Sequence, residues 1–427
     1  MRKLLTTALS CALLSAALPA MAQDSFAIIN AKVVTNDGSA IDNATILVQD
    51  GKVKAIGATD TSANAPQPNG SSIIDGSGSW VTPGIFAPYG QIGLVEVSLE
   101  SSTRDTRSGD SVSQASLKAA DGFNPKSSSV SATRGEGVTH VAIGLSPRAS
   151  VFGGIGAIAN MSGEFDSIET PESFAYVQLG SSGGDLAGGS RSAAMAQLRQ
   201  GFADASRRYG SPDDGDAINR ADADALKPVL AGRVPLMIAA DRASDLNAIA
   251  GLKRDYPRLR IVVLGAAEGW MVGEALAAAN ISVLVDPQET LPYSFDQVAT
   301  RADNAARLQL AGVRVAFMSR SSDFSHQVRL LPQHAGNAVA QGFTWDQAFK
   351  AITLTPAQIF GRPDLGTIKV GQTANLVVWD GDPLEVMTGA TRVVIGGEVQ
   401  DMTSRQTELS KRYNPNNTSD MPHGYRR

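Results

Sequence analysis

Residues 26–57 alternate apolar and polar side chains and are rich in β-branched types. Segments 26–29, 31–34, 44–48 and 53–56 read as strands. Asn36-Asp37-Gly38 reads as a turn, and Asp50-Gly51 as the tip of a hairpin. The polar, Pro- and Gly-containing stretch 58–72 reads as a loop. Further along, strand-like runs (138–145, 174–179, 234–239, 259–264, 281–285, 313–317) alternate with helical ones (193–208, 244–256, 271–279, 295–311). That alternation predicts a parallel α/β sheet or barrel. Ser244 is placed to cap its helix, with Leu246, Ile249 and Leu252 toward the buried face. Strands return at 376–379 and 392–395, on either side of the turn Asp380-Gly381-Asp382-Pro383, and are expected to rejoin the N-terminal ones.

Composition narrows the setting. The chain has 427 residues, 43% hydrophobic, enough for a large domain with a smaller one. Its net charge of −5, with no long basic run, argues against nucleic acid and anionic membrane as partners. Arg2 and Lys3, an apolar run over 4–18 and the small-residue site Ala20-Met21-Ala22 form the pattern of a cleaved secretory signal, residues 1–22. Cleavage before Gln23 takes the net charge from −5 to −7 and removes Cys11, the single cysteine. The mature chain then has no thiol ligand, no disulfide and no candidate membrane span. A bacterial periplasmic or secreted location is expected.

Several segments resemble the amidohydrolase superfamily, in particular its imidazolonepropionase-like branch. They are TILVQDGKVKAIG at 45–57, Ile74-Asp75-Gly76 and Val81-Thr82-Pro83-Gly84 near the start. Near the end are Ile352-Thr353-Leu354-Thr355-Pro356-Ala357, the run 365–371 and Ala374-Asn375-Leu376-Val377-Val378. Segments 135–141 and 306–316 resemble family strands and the last barrel helix. The resemblance implies a TIM-like (β/α)8 barrel over 84–364. It also implies a small β-sandwich domain from 23–83 and 365–402, and a polar tail over 403–427 is read from composition. In that family one or two divalent metals, usually zinc, sit at the barrel mouth and activate water.

The residues expected at the ligand positions are not metal donors of that kind. Tyr89 and Gln91 stand where a His-x-His pair is usual, Ala239 and Gly265 at the ends of strands five and six, and Arg320 at the end of strand eight. Asp323 is the alternative for strand eight if the loop shifts by three residues. The four histidines, His140, His326, His334 and His423, fall on none of these positions. His140 is expected to be structural, and His326 and His334 to lie on the surface or in helix packing. No bound cofactor is therefore expected, although zinc would be the family's.

Asp241, Arg242, Glu268, Arg320 and Asp323 remain as polar candidates at the mouth, for binding or acid–base chemistry or as an ion-pair network filling the space. Glu96, Glu100, Arg104 and Asp105 are candidates for the rim of the same pocket. Gly180-Ser181-Ser182-Gly183-Gly184 matches G-x-S-x-G, but the glycine-rich sequence after it reads as loop, so Ser182 is taken as a loop residue. The glycines near 154–156 are ascribed to packing. Two functions follow. Resemblance implies a hydrolase of carbon–nitrogen bonds in non-peptide, cyclic or dipeptide-like substrates, exported according to the signal pattern. The replaced ligands imply an inactive member, acting as a partner subunit of an active homologue or as a small-ligand binder, in homo- or hetero-oligomers.

Overall fold

A computed structural model describes residues 25–59, 72–109, 111, 113–207, 218–320 and 326–414. The expected signal peptide, Cys11, Asp323 and His423 lie outside the described residues, as does most of the expected tail. Among the described residues no helix is long and apolar enough to cross a membrane.

The alternating N-terminal segment forms β1 (Phe26–Val33), β2 (Ile41–Gln49) and β3 (Lys52–Ala58), followed by β4 (Ser72–Asp75) and β5 (Trp80–Pro83). Asp50 and Gly51 both take positive φ, 51° and 73°, as the tight β2–β3 hairpin requires. The chain then passes through Gly84 into the barrel strands. These are β6 (Ile85–Gly90), β7 (Val138–Ile143), β8 (Phe152–Asn160), β9 (Ile168–Gln178), β10 (Leu236–Ala240), β11 (Ile261–Gly265), β12 (Ser282–Val285) and β13 (Val315–Phe317). It returns in β14 (Leu376–Trp379), β15 (Ala390–Ile395) and β16 (Glu398–Val399). These last three join the first sheet in the order β16-β15-β14-β5-β1-β2-β3, with β4 against β1. The two ends of the chain thus share one sheet, as expected.

Strands β6 to β13 follow one another around a nearly closed barrel. Seven of them are parallel; β8 is antiparallel to both neighbours and reaches them without an intervening helix. This corrects the strict βα repeat. Segment 152–160 is a strand, and its glycines serve ring packing: a Cβ on Gly156 would lie 2.1 Å from the Phe174 ring. At the β13–β6 seam, Phe86 N–H donates to Ile352 O at 2.9 Å.

Period-two alternation sorts the barrel strands into two layers. Phe86, Tyr89, Phe174, Tyr176, Met237, Ala239, Val262, Leu264, Leu284 and Ala316 fill the interior. Their sequence neighbours Leu236, Ile238, Ile261, Val263, Val283, Val315 and Phe317 face the surrounding helices. Ala357, Ile359 and Phe360 of the helix Leu354–Phe360 pack against the interior set.

Candidate functional site

The ends of four consecutive parallel strands meet at one end of the barrel, and three of them place polar side chains there. Asp241 follows β10, Gly265 ends β11, Asp286 follows β12, and Ser319 and Arg320 follow β13. The C-terminal ends of such strands are where barrel sites sit. A cavity of about 770 Å³ opens there, lined in part by Asp241, Asp286, Glu289, Arg320 and His334. Such a volume suits a small-molecule ligand.

Arg320 and Asp241 form a two-pronged pair. Nη1 donates to Oδ1 at 2.5 Å and Nη2 to Oδ2 at 2.6 Å. Such fork-to-carboxylate contacts are strong and directional. The pair depends on Gly265: a Cβ there would lie 2.5 Å from Asp241 Oδ1 and 2.8 Å from Arg320 Nη1, and φ is +108°. Gln297 Nε2 donates to Asp241 Oδ2 at 3.2 Å and to Glu289 Oε1 at 2.5 Å. Arg320 Nη1 also lies 3.4 Å from Glu289 Oε2, and its backbone N–H donates to Asp286 Oδ2 at 2.7 Å. Burial, reinforced by the neighbouring Asp241 and Asp286, pushes the Glu289 carboxyl up to about 7. Arg320, despite its burial, is held above the ordinary guanidinium range by hydrogen bonding and attraction to Asp241.

Three residues of the cavity lining carry a buried polar atom with no hydrogen-bond partner among the described residues: Ser319 Oγ, Gln327 Oε1 and His334 Nδ1. His334 Nδ1 does approach Asp286 Oδ1 at 3.2 Å, so proximity is met but hydrogen-bond geometry is not.

The expected site residues divide. Asp241 and Arg320 meet in the cavity. Glu268 does not line it; its carboxylate accepts from Ala243 N and Ala299 N, each at 3.0 Å, and so holds backbone behind the wall. Arg242 is exposed and also outside the cavity lining. Tyr89 and Gln91 are buried and do not line the cavity: Tyr89 O–H donates to Leu145 O at 3.3 Å, and Gln91 Nε2 to Ser146 Oγ at 2.7 Å. The Tyr89 ring stacks on Tyr176 with centroids 5.6 Å apart, and burial raises both phenols above their ordinary range. Ala239 adds a methyl group to the same interior cluster.

The rim candidates fall elsewhere. Glu96 and Asp105 line a separate cleft with Lys126. Glu100 accepts from Ser102 N, and Arg104 bridges to Val95. Ser182 is helical, in Gly180–Leu186 directly after β9, which corrects its reading as a loop residue. The cavity is also lined by Ser181, whose hydroxyl donates to Asp296 Oδ2 at 2.6 Å. His140 is buried, with Nε2 3.3 Å from Glu169 Oε1, consistent with a structural role. His334 departs from its expected place: it faces the cavity from the helix Leu331–Ala340. Glu289 and Asp286 were not among the sequence candidates. The only signal for Asp286 was its position just after an apolar strand, and Glu289 had none.

Residues 217–400 match the model of the amidohydrolase family. None of the curated proteins matches the sequence. Among solved structures, an amidohydrolase from Thermotoga maritima MSB8 is similar with a TM-score of 0.75 and 23% identity, over 88% of this chain and 99% of that one. Molinate hydrolase is similar with a TM-score of 0.56 and 17% identity, over 89% and 95%. Atrazine chlorohydrolase from Arthrobacter aurescens TC1, complexed with zinc, gives 0.51 and 16%, over 93% and 100%. At these identities the structural likenesses speak for the fold, and the sequence match covers less than half of the chain. The C-terminal part of the chain, residues 217–400, thus matches the amidohydrolase family in sequence, and the solved structures share its fold.

Proposed function

We propose that this protein is an exported, periplasmic hydrolase of carbon–nitrogen bonds in small non-peptide or cyclic amides, acting at the barrel mouth without a resident metal. The observation that carries the reading is the cavity itself: a wall with unpartnered Ser319, Gln327 and His334 atoms, beside a carboxyl group, Glu289, poised near neutrality. The terminal sheet would be the small β-sandwich domain of such proteins.

The donor set does not fit zinc. Zinc takes imidazole, thiolate or carboxylate donors converging at about 2.0–2.3 Å. The phenol of Tyr89 is buried and hydrogen-bonded, and Gln91 is engaged with Ser146. Ala239 and Gly265 offer no donor atom, and Arg320 brings a cation. Among the described residues no three His, Cys, Asp or Glu side chains are grouped to hold a metal ion.

Glu289 is the candidate general base. With its pKa near 7 it is about half ionised at neutral pH and can accept a proton from water. Arg320 and Gln297 hold it in place.

A second reading, a non-catalytic small-ligand binder or partner subunit of an active homologue, draws on the same replaced donors. Turnover of a panel of lactams and cyclic ureides by the purified chain separates the two. The hydrolase reading expects turnover insensitive to chelators, reduced on the order of 100-fold in Glu289→Gln, with an acid limb near pH 7. One tightly held zinc per chain, with activity lost on chelation, would sink the metal-free reading. Ligand binding without any turnover would leave the binder.

A further inference from the structure

Among the described residues, the mouth cavity is lined by four acidic side chains, Asp241, Asp286, Glu289 and Asp296, against one arginine. Two of the four are already matched. Asp241 is taken by Arg320, and Asp296 by Arg191 reaching in from outside the lining, together with Ser181. Asp286 and Glu289 have no cationic side chain of their own. Asp286 meets backbone N–H groups of Gln288 and Arg320 and the His334 ring edge. Glu289 shares Arg320 at 3.4 Å with the more tightly bound Asp241.

Acidic clustering alone would not make a site. The second observation is on the wall: the lining residues Ser319, 1% exposed, and His334, 9% exposed, each carry a buried polar atom with no hydrogen-bond partner among the described residues, Ser319 Oγ and His334 Nδ1, the latter 3.2 Å from Asp286 Oδ1. Gln327 Oε1, a pure acceptor, is a third such atom. Leaving such groups unmatched costs on the order of 1–3 kcal/mol each, so a ligand that supplies donors recovers that cost on binding. An anion would meet Asp286 and Glu289 with no free guanidinium to offset them. At the outer edge stands Tyr293, 83% exposed, whose ring can cover an apolar segment or stack on a cation.

We infer that the cavity selects a small organic cation, a molecule with an ammonium or guanidinium head that donates hydrogen bonds toward Asp286, Glu289 and Gln327 and an apolar body that leaves past Tyr293. The inference rests on the reading of the mouth as the functional site and names the class of molecule that site takes. The head enters the space between the two unmatched carboxyl groups. Its charge favours the ionised form of Glu289, so binding near pH 7 expels a proton.

Calorimetric titration of the full mature chain with three probes of one shape tests this: benzylammonium, benzyl alcohol and benzoate. Benzylammonium is expected to bind at least about tenfold more tightly than the alcohol, and benzoate most weakly. The enthalpy at pH 7 should vary with the buffer's ionisation enthalpy, reporting proton release. Asp286→Asn should weaken benzylammonium about tenfold and leave the alcohol unchanged. Tyr293→Ala, at an exposed position, should weaken both and serves where Asp286→Asn fails to fold. Benzoate binding as tightly as benzylammonium, or no benzylammonium binding at all, overturns the inference. If neutral cyclic amides are turned over while benzylammonium does not bind, the charge selection fails and the hydrolase reading stands. If benzylammonium binds and no amide is turned over, the reverse holds.

Discussion

The missing side chain of Gly265 decides what the barrel mouth can hold. Its φ of +108° is a conformation that L-residues rarely adopt, and the Asp241–Arg320 pair occupies the volume a Cβ would need. Gly265→Ala should therefore destabilise by about 2–4 kcal/mol, from backbone strain and displacement of a buried ion pair. Chemical denaturation checks this; an unchanged midpoint would mean the pair sits elsewhere. Glu289 gives a pH signature from the same cluster. Its folded pKa of about 7 lies above the ordinary 4.5, so the folded state binds the proton more tightly. Its favourable contribution is present below about pH 4.5 and is lost as pH rises through about 7, a difference of up to ~3 kcal/mol. Glu289→Gln should accordingly gain Tm relative to wild type between pH 5 and 8. A constant offset at both pH values would count against a raised pKa. At this scale the sequence exposed only part of the cluster. Asp241, Gly265 and Arg320 were found because resemblance aligned them with strand ends. Glu289 lies in a loop with no motif. His334 stands fourteen residues after Arg320 in the chain, and no local pattern says that its helix leans over the mouth.

Elements were legible where one period dominated. The helix Ala243–Asp255 buries Leu246, Ile249 and Leu252, the face its sequence indicated. Its cap was not legible. Ser244 lies within the helix, and Glu268, from the loop after β11, accepts from Ala243 N instead. The same carboxylate explains why the helix expected over 295–311 is broken into Phe295–Gln297 and Asn304–Leu310. Ala299 N–H donates to Glu268 Oε1 and Ala299 O accepts from Trp270 Nε1, so its backbone groups are taken by side chains from another loop. Helical periodicity carries no trace of such tertiary competition. Glu268→Ala should cost about 2–3 kcal/mol, the loss of two charge-assisted bonds to half-buried backbone N–H groups. Hydrogen exchange should localise the effect to the first turn of Ala243–Asp255 and to residues 298–300. Protection lost evenly across the barrel would rule out a local cap. Strand β8 was missed for another reason: its glycines have poor strand propensity, and the aromatic rings they admit come from β9, a distant signal.

On the scale of the whole molecule, the sheet and the barrel are joined by a side chain from the far end of the sequence. In β14, Leu376 and Val378 pack into the terminal sheet's own cluster, whereas Val377 and Trp379 pack with the helices and outer faces of the barrel strands. The period-two run Leu376-Val377-Val378-Trp379 therefore serves two cores, and it was readable as a strand but not as a joint. Trp379 is 2% exposed, donates through Nε1 to Thr82 Oγ1 at 2.9 Å, and lies so close to Gly137 that a Cβ there would come within 2.3 Å of the ring. Gly137 immediately precedes β7, so this joint is at the N-terminal ends of the barrel strands, opposite the mouth. Barrel folds separate stability at that face from chemistry at the other. Trp379→Ala should lower stability by about 3–5 kcal/mol, the range for deleting a large buried aromatic. Trp379→Phe should cost less, retaining most of the ring and giving up the bond to Thr82. In the folded Phe variant, benzylammonium affinity at the mouth should match wild type within about twofold, because the joint and the mouth lie at opposite ends of the barrel strands. Denaturation midpoints and calorimetry on the same preparations check both halves. A large affinity change in a stably folded Trp379→Phe would mean that the two faces are coupled through the barrel and that the sheet contributes to the site.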